Sequence, residues 1–131
     1  MATGTLTLTV GQSSLNAVEN IQKSVIVRGT ASFSSAADTY ATGGLATTFT
    51  PLESIHSDLV PTYCHIWSQP AAASPNTFNY QYQYNPGTSI NGGLTQIWQG
   101  LGASSPEYGN GSALTNPGAD TLVFEALFER L

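Results

Sequence analysis

Two stretches of this chain alternate strictly between apolar and polar residues. A period of two belongs to pleated strands, whose successive side chains leave on opposite faces. Residues 5–10, TLTLTV, put Leu6, Leu8 and Val10 on one side and Thr5, Thr7 and Thr9 on the other. Residues 78–84, FNYQYQY, put Phe78, Tyr80, Tyr82 and Tyr84 on one side and Asn79, Gln81 and Gln83 on the other. Both read as half-buried strands, and no run of residues sustains the 3.6 period of a long helix.

The remaining segments fit the same class. Gly11 is expected to end the first strand, with a loop or short helical turn through Lys23. SVIVRGTASFS, 24–34, is a β-branched run bent at Gly29, where a bulge or a close backbone approach would fit. DTYATGG is a turn, Leu45 to Phe49 a short strand, and Leu52 to Leu59 one helical turn. TYCHIWSQP is a strand with Tyr63, His65 and Trp67 on one face and Cys64 and Ile66 on the core face; a small-residue loop follows from Pro70 to Pro75. NPGTSINGG is a wide turn after which LTQIWQ returns antiparallel to the tyrosine strand, bringing Trp98 near the aromatic row. TLVFEALFERL is either a strand with Leu122, Phe124, Ala126 and Phe128 on one face or a short amphipathic helix, and its context favours the strand. The expected architecture is one all-β domain over 1–131, an antiparallel sandwich or barrel, jelly-roll-like, with a short N-terminal arm 1–4 and a long surface loop 101–120.

Only 8% of residues are charged, against about 25% in an average soluble domain. Ser, Thr, Asn, Gln and Gly take their place. Such groups are buried in a contact with hydrogen bonds at lower cost than Lys or Glu, so the surface suits permanent assembly. The formal net charge is -5, and Lys23, Arg28 and Arg130 are the fixed cations. Nucleic acid is therefore not an expected partner, since phosphate binding needs several cations in one stripe. The start, MATGTLTLTVGQ, carries neither a basic region nor a long apolar core, and no segment has the length of a membrane span. These features read as a chain made in the cytoplasm, unprocessed and without a membrane partner. The single cysteine, Cys64, excludes an internal disulfide and a multi-thiolate metal site.

No catalytic constellation can be placed. Cys64 and His65 are consecutive on a strand and must face opposite ways, so Cys64 reads as a small buried hydrophobe. A metal site from His56, Asp58 and His65 has no spacing in its favour, and the carboxylates Glu53, Asp58, Glu107 and Asp120 read as solvated loop residues. The glycine pairs at 43–44 and 92–93 belong to β turns rather than to phosphate loops. The expectation is a protein that is not an enzyme and carries no cofactor. Asn110-Gly111-Ser112 is a chance sequon on this reading.

The aromatic row of Tyr80, Tyr82 and Tyr84, with Phe78 and Trp98, admits three readings. It is a subunit interface, a core face of the sheet, or a platform on which sugar rings stack. The first is preferred because tyrosine is amphipathic.

The layout TLTLTVGQ, SVIVRGTASFS, YATGG (Tyr40 to Gly44) and the hairpin FNYQYQYNPG to LTQIWQ resembles small virion proteins of tailed bacteriophages, the capsid decoration or cement proteins. It departs from them in the long insertion from Leu101 to Asp120. The resemblance implies a viral structural protein on the outer surface of the phage head, made in the host cytoplasm, that binds the major capsid protein, forms a homotrimer and clamps neighbouring subunits by many weak contacts. The candidate capsid contacts are Met1, Ala2, Thr3 and Gly4 of the arm and Tyr108 of the loop. The competing reading is a carbohydrate- or receptor-binding module of a viral fibre.

Overall fold

The computed structural model describes residues 2–13, 24–50, 60–69, 80–100 and 106–129. Seven strands form one sheet: β1 (Thr5–Ser13), β2 (Ser24–Phe33), β3 (Leu45–Thr50), β4 (Tyr63–Ser68), β5 (Tyr80–Asn85), β6 (Gly93–Gln99) and β7 (Leu122–Glu129), with one helical turn, α1 (Thr115–Gly118). Their order is β4-β7-β2-β1-β3-β6-β5, and the sheet curls into a nearly closed barrel whose edge strands β4 and β5 approach each other. The all-β class holds. Of the two expected forms the chain takes the barrel, and the expected purely antiparallel pairing fails at one place, where β1 and β3 run parallel.

Alternation decides what the barrel holds. Leu6 and Leu8 of β1, Val25, Val27 and Ala31 of β2, Phe49 of β3, Ile66 of β4 and Leu122, Phe124, Ala126 and Phe128 of β7 point inward and form one apolar cluster. Phe49 lies at its middle, edge-on to Phe124 at 5.9 Å and to Phe128 at 5.2 Å between ring centroids. Each such buried side chain contributes about 1.5–3 kcal/mol relative to exposure. A smaller cluster of Tyr40, Leu45, Ile97 and Leu114 fills the space beside it. Ile90, in the turn between β5 and β6, packs on the larger cluster, and Asn91 Oδ1 accepts the Phe49 backbone N–H at 2.8 Å.

Gly11 does not end β1. It is the extra residue of a bulge between Val10 and Gln12, and Gly29 lies opposite. A side chain at Gly29 would overlap the Thr9 carbonyl oxygen, so β1 and β2 can cross this closely only over a glycine.

The stretch 106–120, within the expected long surface loop 101–120, runs over the surface but is anchored to the barrel. β3 pairs with β6 only at Leu45–Thr95, Ala46–Leu94 and Thr47–Gly93, which leaves the rest of that β6 edge open. Residues 106–108 take it: Tyr108 N–H donates to Ile97 O at 2.8 Å and Gln99 N–H to Pro106 O at 2.9 Å. Leu114 is then fully buried and Pro117 and Asp120 are buried behind it. The segment is held because unpaired backbone and isolated apolar residues both gain from closing the barrel wall.

The N-terminal arm is anchored in the same way. Thr3 bridges to Thr39, Gly4 N–H donates to Thr39 O at 2.8 Å, and Gly4 is buried where a side chain would strike Leu114. Met1, Phe78, the loop 70–75, the turn 52–59 with Glu53, His56 and Asp58, and residues 14–23 and 101–105 lie outside the described residues.

Candidate interaction surface

Strands β4, β7 and β2 are neighbours, so their outward residues form three straight rows. Tyr63 of β4, Leu127 of β7 and Ile26 of β2 make one. His65, Glu125 and Arg28 make the next, and Trp67, Val123 and Thr30 the third. Inward partners are apolar on all three strands, which fixes this face outward by the same period of two.

The face is apolar where water reaches it. Tyr63, Trp67 and Ile26 are 41%, 38% and 40% exposed, and Val60, just before β4, is 37% exposed. Leu94, on β6, is the other large hydrophobic this exposed among the described residues. His65 stacks on Trp67 with ring centroids 4.9 Å apart and planes 23° from parallel, which sets the indole in a fixed orientation.

One charge pair sits at the centre. Arg28 Nε donates to Glu125 Oε2 at 2.6 Å, and the Tyr63 hydroxyl donates to Glu125 Oε1 at 2.7 Å. These two hydrogen bonds, Tyr63 first and Arg28 second, hold the Glu125 carboxyl below the usual carboxylate range; the same bond to Glu125 raises the Tyr63 phenol. An exposed pair of this kind adds little to folding. Its effect is to neutralise the centre of the face while fixing where the guanidinium lies; Glu129, one row on, accepts from Thr62 Oγ1 at 3.5 Å.

The chain shows no match to a family model, a curated protein or a solved structure. The chemistry of the surface therefore rests on its own residues.

The residues singled out from the sequence are placed differently. Tyr80, Tyr82 and Tyr84 lie on the inner face of β5, half-buried: Tyr84 meets Phe49 edge-on at 6.1 Å, and Tyr80 meets Tyr108 at 5.7 Å. Burial pushes the Tyr84 phenol up to about 12. Trp98 does not join them. The register sets Tyr82 opposite Ile97 and Gln81 opposite Trp98, so the indole lies on the other face of the sheet. Tyr108 is no free contact either: it is half-buried against Tyr40 and its hydroxyl donates to Ala113 O at 2.7 Å. Of the arm, Ala2 and Thr3 present surface and Gly4 does not.

Other polar groups serve the fold. Glu107, read as a solvated carboxylate, accepts from Tyr40 Oη and from Gly43 N–H. Asp120 is buried and accepts from Ser68 Oγ at 3.3 Å. Asn110 of the sequon uses its side-chain oxygen to accept the Thr42 N–H at 3.0 Å. Cys64 lies on the inner side of β4 and His65 on the outer, so the thiol and the imidazole are separated by the sheet.

Beside Trp67, the seam between β4 and β5 opens a cleft of about 620 Å³ lined by His65, Ile66, Trp67, Ser68, Tyr80, Gln81 and Tyr82. The β4–β7–β2 face, which the sequence reading passed over, joins this cleft at Trp67. Its signal was the outward trio Tyr63, His65 and Trp67 together with Val123 and Leu127 on the polar side of the last strand.

Proposed function

We propose that this chain is a structural assembly protein that works through the outer face of β4, β7 and β2, and that it decorates the head of a tailed bacteriophage. The observation that carries the assembly reading is the concentration of exposed Ile26, Tyr63 and Trp67 on one face around a neutralised charge pair. Aromatic residues and Arg are the groups enriched in the buried centres of protein contacts, and contiguous exposed apolar surface marks such contacts. The phage-head setting is supported by the resemblance of the strand and loop layout to decoration proteins, and the neutral polar exterior agrees with it.

In this role the barrel supplies a rigid body and the face supplies adhesion. Many copies on one shell add weak contacts into large avidity, which is how a small domain opposes the separation of capsid subunits. The test is sedimentation of purified chain with heads of the phage whose genome carries its gene. The expected result is saturable binding at a fixed number of copies per head and a higher temperature of head rupture. Heads that pellet without the chain at micromolar concentration would contradict the reading.

The carbohydrate reading keeps one specific observation. The stacked His65–Trp67 pair borders a cleft with the Gln81 amide and Ser68 hydroxyl on its walls, a lining that suits a neutral sugar better than the inward tyrosines do. Binding of a glycan in an array screen, lost in Trp67→Ala, would select it.

A further inference from the structure

We propose that the seam between β4 and β5 takes up an extended, uncharged peptide segment of a partner, which adds to the two open strand edges there and completes the barrel wall. The inference concerns strand edges rather than the outer face, and it stands without the phage-head reading.

Three observations lead to it. The first is an opposition of unpaired backbone. In an antiparallel ladder alternate residues aim both N–H and C=O at the neighbouring strand, and the residues between aim both away from it. Gln69 N–H donates to Thr121 O at 2.8 Å, so Gln69 and, at every second position of β4, Trp67, His65 and Tyr63 bond towards β7. The backbones of Ser68, Ile66 and Cys64 therefore point into the seam. On β6, Ile97 O accepts from Tyr108 N–H and Gln99 N–H donates to Pro106 O, so these two residues bond away from β5. Trp98 and Gln96 are left to bond Gln81 and Gln83, and the backbones of Tyr80, Tyr82 and Tyr84 point into the seam from the other side. Among the described residues no ladder joins β4 to β5. Such groups are satisfied by water or by another strand.

The second is that neither edge is guarded. Edge strands are normally blunted by lysine, proline, inward charge or a bulge. β4 reads YCHIWS and β5 reads YQYQYN, with no Lys, Arg, Asp, Glu or Pro, and both keep an unbroken register with their one partner.

The third is the room and its chemistry. The cleft of about 620 Å³ lies on this seam, between Ile66 and Ser68 on one side and Tyr80 and Tyr82 on the other. Its walls carry rings, the Gln81 amide and the Ser68 hydroxyl but no carboxylate, Lys or Arg, so a charged segment would lose its water without a counter-charge. Cys64, Tyr82 and Tyr84 already pack on the core beneath it. The segment's inward side chains are therefore small, and its outward ones meet Trp67 and Gln81. Some Cα atoms of β4 and β5 lie within 8 Å, whereas a strand bonded on both sides needs two spacings, about 9.6 Å. The segment accordingly enters at the cleft and parts the edges as it bonds, in the manner of strand addition. A sugar can stack on Trp67, but only an extended chain repeats donor and acceptor at the period of both edges.

The test is a screen of the intact chain against an array of uncharged heptapeptides built from Gly, Ala, Ser, Thr, Val and Tyr, followed by amide exchange read by NMR with and without the best binder. In the free chain the Ile66, Ser68 and Tyr82 amides are expected to exchange at least about tenfold faster than those of His65, Trp67 and Gln83. The bound heptapeptide is expected to slow the first three by a similar factor, and methylation of its alternate amide nitrogens to abolish binding. Equal protection of both sets in the free chain, an array without a binder at millimolar concentration, or undiminished binding of the methylated peptide would overturn the proposal. So would a free dimer with these amides already protected, which would give the edges to a second copy. A neutral sugar that protects them where no peptide does would overturn it in favour of the carbohydrate reading.

Discussion

Tyr40 and Glu107, 67 residues apart in sequence, meet at 2.6 Å between the phenol oxygen and Oε1. The same carboxylate oxygen accepts Gly43 N–H at 2.7 Å, and Ile97 N–H donates to Tyr40 Oη at 3.1 Å. Tyr40 thus links β6, the turn before β3 and the segment that follows β6, and it does so while its ring is buried. Burial pushes its phenol well above the ordinary range, so it remains a donor at every working pH.

Tyr40→Phe leaves a buried Ile97 N–H without its acceptor and removes a donor from Glu107. The expected loss is about 1–3 kcal/mol, measured by urea unfolding. An unchanged midpoint would show that water replaces the phenol.

Glu107 titrates below its usual value, chiefly through the Tyr40 hydrogen bond and then the Gly43 amide. A carboxyl depressed in the folded state adds stability that is complete above the unfolded value, near 4.5, and is lost as pH falls through the folded one. Glu107→Gln is therefore expected to lower the unfolding midpoint at pH 7, and its difference from wild type to shrink progressively as pH falls below 4.5. A constant difference across that range would place the effect in packing.

The bulge at Gly11 and the bare Gly29 opposite it predict a severe local response. Gly29→Ala drives a methyl group into the Thr9 carbonyl, which neither strand can yield without breaking its ladder. A loss of about 1–3 kcal/mol or more is expected by thermal unfolding. Gly43→Ala, with open space around the position but a φ of 99°, is strained by its backbone alone and should cost less.

Much of this fold is legible in the sequence, because alternation survives in most strands that line the barrel; β6 is the exception, with Leu94 exposed and Thr95 buried. Leu6 and Leu8, Cys64 and Ile66, and Leu122, Phe124, Ala126 and Phe128 all face inward as their period dictates, and Gly29 marks a close approach. Pairing is what the residues do not spell out. Nothing local says that β1 lies parallel to β3, or that β3 is too short to cover β6 and so leaves an edge for residues 106–108. Leu114 and Tyr108 are single apolar residues in a Gly- and Ser-rich stretch, with no period to announce that they are core. The outer face was hidden for the same reason: Tyr63, Glu125 and Arg28 come from strands far apart in the chain, and become neighbours only through β7.

Leu114→Ala separates a packed segment from a free loop. The side chain is wholly buried between Tyr40, Leu45 and Ile97, so truncation should cost about 2–5 kcal/mol. A loss below about 0.5 kcal/mol, the range of ordinary surface changes, would mean that the segment contributes nothing to the core.

Cys64 lies on the inner side of β4, and burial pushes its thiol up to about 12. At pH 8 this leaves roughly a thousandfold less thiolate than in an ordinary cysteine, and the thiolate is the reacting form. Ellman's reagent is expected to label the folded chain only on the timescale of unfolding and the denatured chain at once. Fast labelling of the folded chain would show that β4 opens.

In the proposed assembly one side of the barrel, and not the other, is covered. Hydroxyl-radical footprinting of the free chain at high dilution and of the assembled chain reads this directly. Tyr63, Trp67 and Ile26 are expected to lose most of their reactivity on assembly while Leu94 keeps its own. Equal reactivity at all four positions in both states would contradict the account.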